Sequence, residues 1–322
     1  MPVVIHLIDQ NADYATRRTA VSLAGELRDE YSPIGLTIGR GGDLRDTLTA
    51  ARSLDRYERG AVVHAWGTRP LIAASLAGRT ALVYTPPEEP GRWDRFWMKW
   101  LCRSGVKVVF SCHAQQKRCG GNFDSRVIHP GVCVQPIEPD FKLRRYLGFS
   151  DKDFVLLALG ESTRSARHDI ALWTTAILHM SDPTYRMLAW GKGPKVDHLK
   201  RLAAPLKKKD LLRLEPMLEF EQLLLAADAA LVPRGAADFS LAAALCMGAG
   251  IPLVEMTRPK AASQRVIKLR HDPELRRTLI QAAAMKTEEL FNMDRFIDEH
   301  RRLYTKISST SRSTAEPVGA SI

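Results

Sequence analysis

The chain has no uninterrupted apolar run near the roughly 20 residues that a bilayer-spanning helix needs, so nothing in it reads as a transmembrane segment. Cysteine is scarce: Cys102, Cys112, Cys119, Cys133 and Cys246 are odd in number and contain no C-x-x-C pair, which points to a reduced, cytoplasmic protein. Cys112, Cys119, His129 and Cys133 stand seven, ten and four residues apart, spacings that match no common zinc site, and no metal is expected. There is no zinc-finger spacing and no aromatic RNA-binding signature, which argues against a specific nucleic-acid partner. No Ser-His-Asp order or nucleophile elbow supports a hydrolase. The first residues, MPVVIHLIDQ, enter a strand-like run without a basic leader or a small-residue cleavage site, so no signal peptide is read.

What is present is ordinary in bulk and biased in charge. The 322 residues are 45% hydrophobic and 26% charged, long enough for two domains. The net charge is +11, which favours nucleotide phosphates, phospholipid headgroups or nucleic acid without choosing among them. Basic residues are spread along the chain. Lys207-Lys208-Lys209 is the only tight run and reads as a solvated loop.

Strands alternate with helices in two series. Residues 3–8, 34–38, 61–65, 81–84 and 107–111 read as strands, and residues 16–28, 44–53 and 70–77 as helices between them. The texture changes over 127–147, where prolines accumulate as in a linker. A second series starts at 154–159 and continues through a helix at 170–179, a strand at 186–190, the turn Gly191-Lys192-Gly193-Pro194 and a helix at 195–204. Residues 261–307 are largely helical in pattern, and the Ser/Thr-rich stretch 308–322 reads as a disordered tail. Alternation of this kind implies α/β architecture with parallel sheets and right-handed crossovers.

Residues 92–103 carry the most distinctive local pattern. Trp93, Phe96, Trp97 and Trp100 recur at helical spacing, with Arg92, Arg95, Lys99 and Arg103 along an adjacent face. Such a stripe commonly faces the core with a solvated basic back, and that is the expectation. A basic helix with tryptophans also suits an anionic membrane surface, which makes Trp93, Trp97, Trp100, Arg95 and Lys99 the membrane candidates.

The segment 220–254 reads helix (220–227), strand (229–233), loop, helix (239–247) and then Gly-Ala-Gly-Ile-Pro before another strand. This order resembles the donor-nucleotide half of the family-four retaining glycosyltransferases, which have the GT-B fold. Further matches are the Gly191–Pro194 turn, a strand ending His64-Ala65-Trp66 where the family has His-x-His, and His129-Pro130-Gly131-Val132-Cys133 at the domain-closing turn. The departures are as specific. The family's Glu-x7-Glu acids fall at Ala237 and Leu245, and its phosphate-binding Arg at Glu161. Its N-terminal Gly-Gly loop is Asn11-Ala12-Asp13 here, and no Gly lies between Val254 and His271.

The resemblance implies two Rossmann-like domains whose parallel sheets face each other across a cleft: 1–135 on the acceptor side and 151–284 on the donor side. A linker at 136–150 joins them, and a C-terminal helix at 285–307 returns to the first. It implies transfer of a sugar from a nucleotide-diphosphate sugar, with retention, to a glycan or lipid-linked acceptor. No cofactor is needed beyond the donor, and peripheral contact at the inner membrane face is the extension. His64 and Asp238 are the catalytic candidates, and Arg164, Arg167, Gly191 and Gly193 the candidates for the donor phosphates. Solvated loop residues are the commoner reading of Arg164 and Arg167, and an exposed loop aspartate that of Asp238. The lost acids leave open a non-catalytic relative that binds a carbohydrate, nucleotide or partner protein.

Overall fold

The computed structural model describes residues 2–39, 44–102, 105–133, 135–208, 210–236 and 240–313, with side chains to 309. The chain divides into two compact units, 1–131 with 293–322, and 132–292.

The first unit runs β1 (Val3–Asp9), α1 (Tyr14–Glu26), β2 (Ser32–Ile38), α2 (Leu44–Leu54), β3 (Val62–Trp66), α3 (Thr68–Leu76), β4 (Leu82–Thr85), α4 (Arg92–Leu101), β5 (Val106–Phe110), α5 (His113–Cys119) and β6 (Ser125–Val127). Its six strands are parallel in the order β2-β1-β3-β4-β5-β6. Strands such as β3, VVHAW, are buried throughout because helices cover both faces of the sheet. On one face Ala51, Leu54, Leu71, Ala74, Met98 and Cys102 bring in α2, α3 and α4. The other face packs against α1 through Ala20 and Leu23 and against a distant helix, α13 (Met293–Ser313), through Phe296, Leu303, Tyr304 and Ile307.

The second unit contains α6 (Phe141–Tyr146), β7 (Phe154–Ala158), α7 (His168–Ser181), β8 (Tyr185–Trp190), α8 (Val196–Ala203), β9 (Leu212–Glu215), α9 (Phe220–Leu224), β10 (Ala229–Pro233), α10 (Leu241–Gly248), β11 (Leu253–Met256), α11 (Pro259–His271) and α12 (Pro273–Leu290). Its five parallel strands lie in the order β11-β10-β7-β8-β9. Helix α10, LAAALCMG, is buried along its whole length, as expected of a helix apolar on every side.

Local chemistry sets several element ends. Asp13 caps α1, its carboxylate accepting from Thr16 N at 2.7 Å, and Asp272 caps α12 from Leu275 N at 2.9 Å ahead of Pro273. The stretch 136–150 belongs to the second unit and carries α6, with Asp140 as its cap. Helix α13 continues to Ser313, so the stretch expected as tail is helical that far, and 314–322 lie outside the described residues. Among the described residues no helix is long and apolar enough to cross a membrane.

Candidate functional site

In the second unit the loop after β7 and the start of α8 enclose a cavity of about 520 Å³ lined by Ser162, Arg164, Arg167, His168, Lys195 and His198, with Thr163, Asp169 and Leu199. Arg164 and Arg167, six and nine residues beyond the buried strand β7, thus meet Lys195 from the following crossover. The single carboxylate in the wall, Asp169, is taken by Arg167 at 3.2 Å. Burial raises the Asp169 pKa, but the Arg167 hydrogen bond and charge outweigh it and hold the carboxyl below its ordinary value.

Helix α7 begins here without a side-chain cap. Its N-cap position is Arg167, in the left-handed region at φ 50°, ψ 41°. A non-glycine residue there is strained, and the helix start carries the positive end of the helix dipole, where the Asp169 carboxylate meets the backbone N–H groups of Asp169 and Ile170. Two buried polar atoms of the same wall have no protein partner: Ser162 Oγ and His168 Nδ1. His168 Nε2 lies 2.9 Å from Leu159 O, and a carbonyl can only accept, so the proton sits on Nε2 and Nδ1 is an open acceptor. Burial lowers the His168 pKa and keeps the ring neutral. Cations, the positive end of a helix dipole, a free hydroxyl and a free acceptor together suit a hydroxyl-bearing anion.

The Gly191–Gly193 turn has a packing role. A Cβ on Gly193 would stand 2.6 Å from Ser162 N, and one on Gly191 would stand 2.9 Å from Pro216 N. With φ at +114°, Gly193 is also in a conformation that side chains disfavour. Ser162 N donates to Lys192 O and Lys195 N to Ser162 O, both at 2.8 Å, so the turn holds the β7 loop in place. Neither glycine lines the cavity. Lys192 is engaged by Glu219 at 3.2 Å and lies over the Trp190 ring.

Leu245 is buried within α10, so that position offers no carboxylate. Ala237 and Asp238 lie outside the described residues. Arg234 is exposed beyond β10, and Gly235 N donates to Glu255 Oε1 at 3.0 Å.

In the first unit, a cavity of about 310 Å³ lies beyond the C-terminal ends of β1 and β3, lined by Asp9, Asn11, Asp13, Gly67, Arg69 and Asp94 among others. The sheet order reverses between these two strands, the point where open α/β sheets bind ligands. Arg69 Nη1 donates to both oxygens of Asp9 at 3.1 and 3.0 Å. Asp94 accepts from Thr68 Oγ1 at 2.5 Å and from Gly91 N at 2.7 Å. Three carboxylates against one guanidinium, with lone pairs to spare, suit a neutral polyol rather than an anion. Asp9, Arg69 and Asp94 escape the sequence reading because only the strand order shows that they share a switch point.

His64 is not at that cavity. It is completely buried, its Nδ1 2.6 Å from Tyr304 Oη of α13 and its Nε2 2.8 Å from Thr85 Oγ1. His6 and His300 lie beside it, with ring centroids at 5.9 and 5.8 Å. Burial holds all three neutral: His6 and His300 are pushed down to about 4 and His64 well below its ordinary value, with neighbouring histidines adding to the effect on His6 and His64. The expected catalytic role for His64 is therefore corrected. A side chain sealed under a helix cannot reach a substrate, and its strand-end position was open only until α13 covered it.

The core-facing expectation for α4 is also overturned. Met98 and Cys102 point into the core, while Trp93, Phe96 and Trp100 are 75%, 54% and 55% exposed. The helix has two apolar stripes, and the smaller side chains fit the close sheet contact.

No family model matches this sequence, and neither does any curated protein. Solved structures do match in shape. HepE of Anabaena, solved with UDP and glucose, superposes with a TM-score of 0.73 at 16% identity, covering 94% of this chain and 100% of that one. Sucrose-phosphate synthase of Thermosynechococcus elongatus gives 0.72 at 13% identity over 96% and 100%. A glycosyltransferase of Rickettsia africae gives 0.70 at 13% identity over 95% and 98%. With two parallel-sheet α/β units of six and five strands, this chain has the GT-B glycosyltransferase fold.

Proposed function

We propose that this chain is a glycosyltransferase-like protein that takes a nucleotide-diphosphate sugar as its donor. The observation that carries the reading is the meeting of Arg164, Arg167 and Lys195 around the start of α7, beside two buried polar atoms without partners. Departure of a nucleoside diphosphate requires neutralisation of developing negative charge, and preorganised guanidinium groups with helix N–H donors supply it without a metal. HepE, of like fold, was solved with UDP-glucose. The acidic cavity beyond β1 and β3 suits the hydroxyl-rich part of a glycan or lipid-linked acceptor. Transfer with retention, in the cytoplasm and in peripheral contact with the inner membrane face, completes the proposal.

A second reading is supported by one observation. Leu245, in the position of a family acid, is sealed in an all-apolar helix and offers nothing to a ribose. A non-catalytic relative that binds a carbohydrate, nucleotide or partner protein would need no such acid.

Thermal-shift titration with UDP, GDP, ADP and their sugar conjugates separates the two. A ligand at about 100 times its Kd stabilises the native state by about 2.7 kcal/mol. We expect a saturable shift with one base, lost when Arg164→Gln and Arg167→Gln are combined, followed by turnover of the matching sugar nucleotide. Folded protein that shifts with none of them defeats the donor reading. A shift without turnover across glycan and lipid-linked acceptors favours the second.

A further inference from the structure

We propose that the outer face of α4 is a docking surface for an anionic lipid bilayer. The helix is about 15 Å long and anchored from within by Met98, Leu101 and Cys102. Its opposite side carries Trp93, Phe96, Trp97 and Trp100 in one edge-to-face row, with successive centroids 6.1, 5.6 and 5.7 Å apart. Three of these rings are more than half exposed. So much aromatic surface in one place marks a contact rather than a scatter of surface residues.

The charges select the occupant. Arg92 and Lys99 are exposed beside the row, and Arg95 is half-buried on the same flank. Arg118, near the end of the following helix α5, is also exposed. The one acid of α4, Asp94, is turned inward to Thr68 and Gly91. Glu88 and Glu89 precede the helix in the chain. Indole rings settle at the boundary between headgroups and acyl chains, while adjacent Arg and Lys meet lipid phosphates. A second copy of the chain is a poorer fit, since a two-fold contact through this face would bring the same basic flank against itself.

The inference rests on the membrane contact proposed above and names its surface, and it needs no part of the donor site. If the donor reading also holds, docking would serve a lipid-linked acceptor, because α4 supplies Asp94 to the acidic cavity while presenting its aromatics to lipid.

Flotation of the full chain tests it, using vesicles of phosphatidylcholine alone and of equimolar phosphatidylcholine and phosphatidylglycerol. The parent should float with the mixed vesicles and far less with the neutral ones, and high salt should release it. Trp93→Ser with Trp100→Ser should abolish flotation at an unchanged melting temperature. Arg92→Gln with Lys99→Gln should weaken partitioning roughly thirty-fold. The proposal is overturned if the parent stays at the bottom with mixed vesicles, or if neither double variant changes the partition. It is also overturned if the parent is a dimer that the tryptophan variant dissociates and neither form floats, which would assign the face to a second copy.

Discussion

The two α/β units place their cavities differently on sheets of the same kind. In the first, the cavity sits at the reversal of strand order, beyond β1 and β3, and its walls are acidic. In the second, the order reverses between β10 and β7, yet the basic cavity lies one crossover away, between the loop after β7 and the start of α8. On the β10 side of the second unit α10 is wholly buried, and a Cβ on Gly160 would stand 3.4 Å from Ala242. A switch point is a location where a site is readily built, and the side chains around it set its chemistry. The units also differ in what seals them. The first is closed by α13, which returns from the far end of the chain onto a cluster of neutral histidines.

That difference is sharpest at Tyr304, where the largest effect is expected. Tyr304→Ala removes a fully buried ring and the partner of His64, and should cost about 3–5 kcal/mol in urea unfolding followed by tryptophan fluorescence. A loss below 1 kcal/mol would mean that α13 contributes little to the first unit.

Acid comes next. The native pKa values of His6 and His300 lie near 4, against 6.5 when unfolded. Between those values the unfolded chain binds more protons, so stability is full above pH 6.5 and falls as pH drops towards 4. Each group contributes on the order of 3 kcal/mol, and coupling among the rings makes the sum smaller than additive. Melting curves across that range should show the decline, and His6→Gln should flatten it. A flat parent profile would refute the neutral cluster.

In the second unit, Gly193→Ala should cost about 1–3 kcal/mol, because a side chain there meets the Ser162 backbone at positive φ. Gly78→Ala in the first unit, at φ +64° in open space, should cost about 1 kcal/mol through backbone strain alone. Equal losses at the two sites would show that the turn does not brace the β7 loop.

Arg167→Gly should raise stability by about 1 kcal/mol by relieving the left-handed N-cap, while weakening any nucleotide-induced thermal shift. Strain kept for a ligand predicts that opposition, and a destabilised variant would contradict it. The smallest effect belongs to α4: Trp93→Ser and Trp100→Ser should each leave the melting free energy within about 0.5 kcal/mol, since neither ring is in the core.

Much of the frame was legible in the chain. The continuous apolar runs of β3 and β7 require a sheet covered on both faces, and the alternation with helices requires parallel strands. The loss of a carboxylate at Leu245 was equally plain, because residue identity needs no geometry. Side-chain direction was not legible. Periodicity shows that 92–101 carries an aromatic stripe, but the same helix carries Met98, Leu101 and Cys102 on another side, and only packing against the sheet chooses between them. His64 reads as a strand-end residue open to ligand, since nothing local reveals that Tyr304, 240 positions away, closes over it. Likewise Arg164 and Arg167 are two loop cations in sequence, and they become a site when the next crossover brings Lys195 to them. The sequence by itself determined which elements form and which chemical groups are available. Tertiary structure decided which groups meet and which are sealed from water, because burial and proximity arise from contacts between segments far apart in the chain.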